Sequence, residues 1–221
     1  MVARGRRLGV VALSDDWGRA EAPWRASFHL AWTAFAAGTI PVGAVIVDET
    51  GRIAAEGRNR IFDDAAPAGQ LSATRLAHAE LNALAQLSNS RRWDTCTLYT
   101  TLEPCPLCVT ATSVASVGRI VYAGSDPYSG GSALIEADLV TPRPLGVTIE
   151  GPLESSLESL GAALHLAFFL SRHTGNSNAL IQTYRDRRPE LFPLAATLID
   201  LRQSAGFEDA LVALEESSRG D

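Results

Sequence analysis

Residues 101–109 read TLEPCPLCV, the end of a strand running into the start of a helix. Cys105 and Cys108 stand three apart, so in a first helical turn both sulfurs lie on one face and can hold one tetrahedral metal. Pro106 suits the first helical position, because the N–H it lacks would be unpaired there anyway. The remaining free N–H groups and the helix dipole favour negative charge at that end and so favour thiolates. A lone Cys-x-x-Cys has three readings: structural zinc, a redox pair, or two buried thiols. The chain has no second Cys-x-x-Cys, which excludes a four-cysteine site. Pro104 and Pro106 bracket Cys105 in a way that suits a redox pair poorly.

Working outward, residues 76–84 read LAHAELNAL. His78 supplies a third ligand 27 positions before Cys105 and leaves a fourth position for water, the arrangement a catalytic zinc needs. Glu80 then has a purpose. Zinc with two thiolates has its charge formally cancelled and acidifies water weakly, so a neighbouring base is useful. In mid-helix, residues i and i+2 point about 200° apart, but at an N-terminal turn both reach a group over the helix end. The spacing to Cys105 leaves room for the rest of one helix, a loop and a strand. Two consecutive helices on one sheet face would bring their starts together.

The rest of the chain supplies the layers. Residues Pro23–Gly38 carry apolar side chains at helical spacing and stop at a glycine. Val42–Val47 and Arg52–Glu56 read as strands of a hairpin turning at Asp48–Gly51. A loop over Asp63–Ala73 precedes a helix expected over Thr74–Leu87. TCTLYTT is a strand, Pro106–Val117 a helix, RIVYAGS a strand followed by the glycine-rich SDPYSGGS, and Val147–Glu150 a strand leading into an apolar helix over Leu153–Arg172. This alternation predicts an α/β domain with helices on both faces of a sheet. TGNSN reads as a linker, and Ala179–Glu216 as two or three further helices broken at Pro189, Pro193 and Gly206. The division expected is a domain over 20–172 and a helical extension over 173–221 packed on it.

Composition limits the alternatives. The chain has 221 residues, 46% hydrophobic and 20% charged, which suits one sizeable packed domain with an appendage. No apolar run approaches the roughly 18 residues of a membrane span, and the first residues hold too short an apolar stretch for a secretory signal; the cytoplasm is the expected location. All 19 basic residues are arginine and the net charge is −6, which disfavours nucleic acid as a partner. Three cysteines argue against a disulfide framework.

His-Ala-Glu at 78–80 with Pro-Cys-x-x-Cys at 104–108 matches the H-x-E…P-C-x-x-C signature of zinc-dependent nucleobase deaminases. The chain resembles the cytidine deaminase-like superfamily. PVGAVIV, EGRNR, TLEPC, GRIVYAGSD and the apolar helix ending at Arg172 are similar to the branch with tRNA adenosine and guanine deaminases. The resemblance covers Trp24 to Arg172. It implies a three-layer α/β/α fold with a mixed, roughly five-stranded sheet and a C-terminal helical extension, a zinc cofactor on His78, Cys105 and Cys108, a zinc-bound hydroxide, and Glu80 as proton shuttle. It also implies that Asn59 contacts substrate, that the Ala79 region lines the pocket, that Asp126 lies on a closing loop, and that the assembly is a homodimer.

Other residues read more plainly. Cys96 is expected in a buried strand position, and His29 and His165 as packed or hydrogen-bonded core histidines. Arg91-Arg92 and Arg185–Arg188 are expected on solvated faces. The expected reaction is hydrolytic deamination of a small amino-heterocycle, with that heterocyclic amine and water as partners. The acidic tail, ten acidic against six basic residues from Pro152 on, favours a free base or nucleoside, guanine-like or a triazine. The alternatives are tRNA adenosine deamination and a non-catalytic zinc-stabilised binding protein.

Overall fold

The computed structural model describes residues 10–135, 146–172, 178–203 and 206–219. Five strands form one mixed sheet: β1 (Gly43–Val47), β2 (Ile53–Arg58), β3 (Thr97–Leu102), β4 (Arg119–Gly124) and β5 (Thr148–Glu150). Their order is β2-β1-β3-β4-β5. β1 runs antiparallel to both its neighbours, while β3, β4 and β5 are mutually parallel. At the hairpin turn the Asp48 carboxylate accepts from the N–H groups of Thr50 and Arg52, and Gly51 takes φ 83°, a conformation open to glycine without steric penalty. All of β1 is buried, as a central strand covered on both faces requires.

The helices are α1 (Val10–Arg19), α2 (Ala22–Ala36), α3 (Ala79–Leu84), α4 (Pro106–Val114), α5 (Ser156–Arg172), α6 (Ala179–Arg187), α7 (Phe192–Leu201) and α8 (Phe207–Arg219). Strand alternation sorts the sheet's side chains into two cores. Ala44, Ile46, Leu98, Leu102 and Ile120 meet Ala79, Ala83 and Val109 of α3 and α4. Val121 and Ala123, with Tyr99, meet Phe28, Trp32, Leu160 and Leu164 of α2 and α5. The result is the three-layer α/β/α arrangement. α6, α7 and α8 join the second core through Leu180, Tyr184, Leu198, Phe207 and Leu211. Phe207 lies edge-on to Trp17 at 4.9 Å and parallel to Phe28 at 6.3 Å. Among the described residues no helix is long and apolar enough to cross a membrane.

Three details differ from the sequence reading. The helix expected over Thr74–Leu87 is only Ala79–Leu84, because the preceding backbone is committed elsewhere: Ala77 O accepts from the Arg60 N–H, and the His78 N–H turns back to Leu76 O. The helix expected to reach Val117 stops at Val114 in a Schellman motif. There Ser116 takes φ 59°, its N–H meets Ser113 O, and the Val117 N–H meets Thr112 O. Finally, α1 was not foreseen; its Asp16 carboxylate accepts from the Ser156 N–H and hydroxyl and so caps α5 from across the chain. The linker at 173–177 lies outside the described residues.

Close backbone contacts set the layers' spacing. A Cβ on Gly57 would lie 2.2 Å from Ala79 O and 2.5 Å from Ala83 N, and one on Gly43 would lie 2.1 Å from Ser27 O. Glycine at 57 therefore lets the start of α3 rest directly on β2. Gly57→Ala should lower stability by about 1–3 kcal/mol, as overpacking against immovable backbone does. Gly18→Ala, in open space on α1, should be neutral or stabilising by up to about 1 kcal/mol. Thermal denaturation of the two variants checks the contrast.

Candidate active site

α3 and α4 both begin above the end of the sheet where β3 and β4 finish. His78 is the N-cap of α3 with ψ 155°, and Cys105 the N-cap of α4 with ψ 166°; neither makes a side-chain cap bond. Extended backbone at a cap turns the side chain out over the helix end, so both project into one space. His78 Nδ1 lies 3.7 Å from Cys105 Sγ and 3.4 Å from Cys108 Sγ, and the sulfurs are 3.6 Å apart. Zinc bonds of about 2.3 Å to sulfur and about 2.0 Å to nitrogen at tetrahedral angles require donor separations of roughly 3.5–3.8 Å. The three residues thus fit one zinc ion, and Cys96, buried before β3, is outside the cluster.

Electrostatics agrees with that donor set. A hydrogen bond from Cys108, and after it one from His78, outweighs burial and holds the Cys105 thiol at about 4, which favours its thiolate form. The same pairing with Cys105 and burial push Cys108 upward. A cation at this point relieves that repulsion.

Glu80 is 4% exposed. The Thr100 hydroxyl donates to its Oε1 at 3.0 Å, and its Oε2 lies 3.4 Å from Cys108 Sγ. Burial raises the Glu80 carboxyl, against the lowering effect of His78, which suits a group that both takes and gives protons. Thr100 points to this side because β3 alternation sends residues 98, 100 and 102 toward α3 and α4.

A cavity of about 300 Å³ opens beside these groups, bordered by Asn59, His78, Glu80, Cys105 and Asp126 among others. Asn59 follows β2; its Oδ1 accepts from the Thr39 hydroxyl and the Ile61 N–H, leaving its Nδ2 donor for the cavity. Asp126 borders the same space, yet its carboxylate is taken up by the N–H groups of Tyr128 and Ser129 and the Ser129 hydroxyl. It shapes the loop. Ala79 is fully buried on the sheet side, where Gly57 meets it, and does not border the cavity.

Sequence reasoning missed two contributors. Glu103 ties the glycine-rich loop to the metal helix: one carboxylate oxygen accepts from the Asp126 N–H, the other from the N–H and hydroxyl of Ser132. Its place next to Pro104-Cys105 was the available signal. His165, expected only as a core histidine, is buried but borders the cavity with Phe169, Asn178 and Leu180. No spacing rule could show that the tail would fold over this site. The solvated face expected for Arg185–Arg188 is also corrected at Arg188, whose side chain is 19% exposed and bonded to Glu158.

The family model for the cytidine and deoxycytidylate deaminase zinc-binding region matches residues 19–124. A tRNA(Ile)-lysidine synthase of Deinococcus deserti is 45% identical over 46% of this chain and 18% of its own length. A tRNA-specific adenosine deaminase of Haemophilus influenzae is 38% identical over 48% of this chain and 58% of its own. A guanine deaminase of Bacillus subtilis is 37% identical over 38% and 49%. The chain thus spans from under a fifth to little over half of these relatives. A solved structure from work on A-to-I editing by tRNA:A34 deaminases superposes with a TM-score of 0.51 at 26% identity, covering 63% of this chain and 97% of the other. Residues 19–124 of the chain, which hold the paired helix starts and the His-Cys-Cys cluster, thus match the zinc-binding region of cytidine and deoxycytidylate deaminases.

Proposed function

We propose that the protein hydrolytically deaminates a small amino-substituted heterocycle, a nucleobase or nucleoside of guanine-like or triazine type, with Glu80 as proton shuttle. The observation that carries this reading is Glu80 itself: an enclosed carboxylate held by Thr100 at the rim of the His78-Cys105-Cys108 cluster, open to the cavity. A structural zinc site has no need of such a group, which argues against a non-catalytic binding protein. His78, Cys105 and Cys108 would hold a zinc ion, which would supply a Lewis-acid position that lowers the pKa of water.

The work of the chain's own residues follows. Glu80 takes a proton from water and delivers it to the ring nitrogen beside the amino-bearing carbon, while the water oxygen bonds that carbon. It then passes the second water proton to the amino nitrogen. The C–N bond breaks and ammonia leaves, so water has contributed its oxygen to the carbon, one hydrogen to the ring and one to ammonia. Asn59, through its free Nδ2, orients the ring, and the Asp126 loop covers it.

The guanine deaminase relative, the acidic tail and the cavity's modest size support a free small ring. The second reading, tRNA adenosine deamination, is favoured by the Haemophilus relative and the tRNA deaminase structure. Exposed Leu107 and Val114, seven apart on α4, offer an apolar face for a second copy and support a homodimer.

Glu80→Ala should reduce turnover by about 10²–10⁴-fold, the usual worth of a positioned acid–base group, while zinc measured by atomic absorption stays stoichiometric. Undiminished ammonia release by that variant would refute the mechanism. Cys105→Ala and His78→Ala should each lose zinc on dialysis and with it activity; retained stoichiometric zinc in either would remove that residue from the ligand set. Substrate is decided by ammonia release over guanine, cytosine, adenine, their nucleosides, an aminotriazine and an anticodon stem-loop RNA.

A further inference from the structure

One wall of the cavity comes from outside the matched zinc-binding region. His165 and Phe169 on α5, with Asn178 and Leu180 at the start of α6, border the same space as Glu80 and Asn59, and all four lie beyond residue 124. His165 is 5% exposed, and its Nδ1 lies 3.1 Å from the Tyr184 hydroxyl. Tyr184 is wholly enclosed, and burial keeps its phenol protonated. That hydroxyl has no other hydrogen-bond partner among the described residues, so its proton goes to Nδ1. Burial likewise keeps the imidazole neutral, and a neutral ring accepting at Nδ1 carries its own proton on Nε2. Nε2 meets no acceptor in the protein among the described residues. Yet the one enclosed side-chain nitrogen or oxygen left without a partner there is Ser155 Oγ. The Nε2–H of His165 therefore opens onto the cavity.

Asn178 offers a second donor. Its Oδ1 caps α6 by accepting from the N–H groups of Leu180 and Ile181 at 2.9 and 3.3 Å, and its Nδ2 has no partner among the described residues. The far end of α6 is pinned to the active-site loop. Arg188 donates to both carboxylate oxygens of Glu158 at 2.7 and 2.9 Å and to the Ser125 hydroxyl at 2.6 Å. Burial pulls the Glu158 carboxyl up, but Arg188 outweighs it and holds Glu158 below the usual range. Ser125 adjoins Asp126, so one ion pair fixes helix and loop together while the opposite end of α6 faces the cavity.

We propose that His165, oriented by Tyr184, and Asn178 are specificity-determining residues: their Nε2–H and Nδ2–H groups donate to ring-nitrogen or exocyclic-oxygen acceptors on the edge of a free heterocycle turned away from the reacting carbon. The inference rests on the deaminase reading of the cavity and adds that α6 fits it to a free ring with acceptors on that edge. Tyr184 is a positioning residue that acts through His165.

The test separates the inference from that reading. Turnover of guanine, cytosine, adenine, an aminotriazine and an anticodon stem-loop RNA is measured for the zinc-loaded full chain, and binding of the same compounds is measured by calorimetry on zinc-loaded Glu80→Ala. His165→Leu removes the donor, His165→Gln keeps one near the Nε2 position, and Asn178→Asp keeps the cap but loses the Nδ2 donor. His165→Leu and Asn178→Asp should each weaken binding of the bound ring, and raise its KM, by about tenfold, the effect of one lost hydrogen bond. His165→Gln should stay within about threefold of the parent; zinc content should hold in all three, and melting temperature in His165→Gln and Asn178→Asp, while His165→Leu should melt lower because it leaves the buried Tyr184 hydroxyl without its acceptor. A ring bound equally by all variants overturns the inference and leaves deamination standing, as does turnover of RNA with no free ring bound. Rings bound in the expected order without ammonia release overturn the deaminase reading and keep the pocket assignment. No binding and no turnover of any compound overturn both.

Discussion

Everything at this site depends on two helices starting at the same point. His78 and Cys105 each occupy an N-cap with extended backbone, and each side chain leaves its helix toward the other. That meeting requires α3 to lie almost in contact with β2, which the missing side chain of Gly57 allows, and α4 to follow β3 without an intervening loop residue beyond Cys105. Once the two starts converge, the donor atoms fall within 4.8 Å of one another, and the charge problem they create is one that a divalent cation solves. The sheet's change from antiparallel to parallel pairing at β3 serves the same end, because parallel β3 and β4 finish on one side and deliver Leu102–Cys105 and Ser125–Asp126 to a common rim.

Most of this was legible in the sequence because chemistry with strict geometry leaves strict spacing. Cys105 and Cys108 had to be three apart, Pro106 had to open the helix, and His78 had to precede them by one helix-strand step. The five strands were readable from alternation and glycine punctuation. Helix lengths were less so. Residues 74–78 have a helical composition, yet Ala77 O is claimed by Arg60 across the chain, a long-range hydrogen bond that no local pattern contains. The same limit hid α1, whose order comes from burying Leu13 and Trp17 and from Asp16 reaching Ser156, and it hid the true setting of Arg188.

His165 shows the same limit in another form. On an apolar helix a histidine most often completes a core, and that description holds, since it is buried, bonded to Tyr184 and packed against Phe169. What makes it a candidate for recognition is the cavity on its other side, bordered also by the loop after β4 and the start of α6. Voids are made by what several segments fail to fill, so they are the property least available to a reading that proceeds one segment at a time.

Glu103 gathers both ends of the loop after β4 on one carboxylate, and the backbone passes so near it that a Cβ on Gly130 would lie 2.3 Å from the carboxyl carbon, while one on Gly131 would lie 2.5 Å from Pro106 N. The loop is therefore anchored at 126 and 132 and barred from bulk at 130 and 131. What stays open is the side chain at the tip, where Tyr128 stands half in solvent at the mouth of the cavity. Natural variation and laboratory selection can act there on which molecules enter while leaving the metal scaffold undisturbed, so that access and chemistry are separately heritable traits of one short segment.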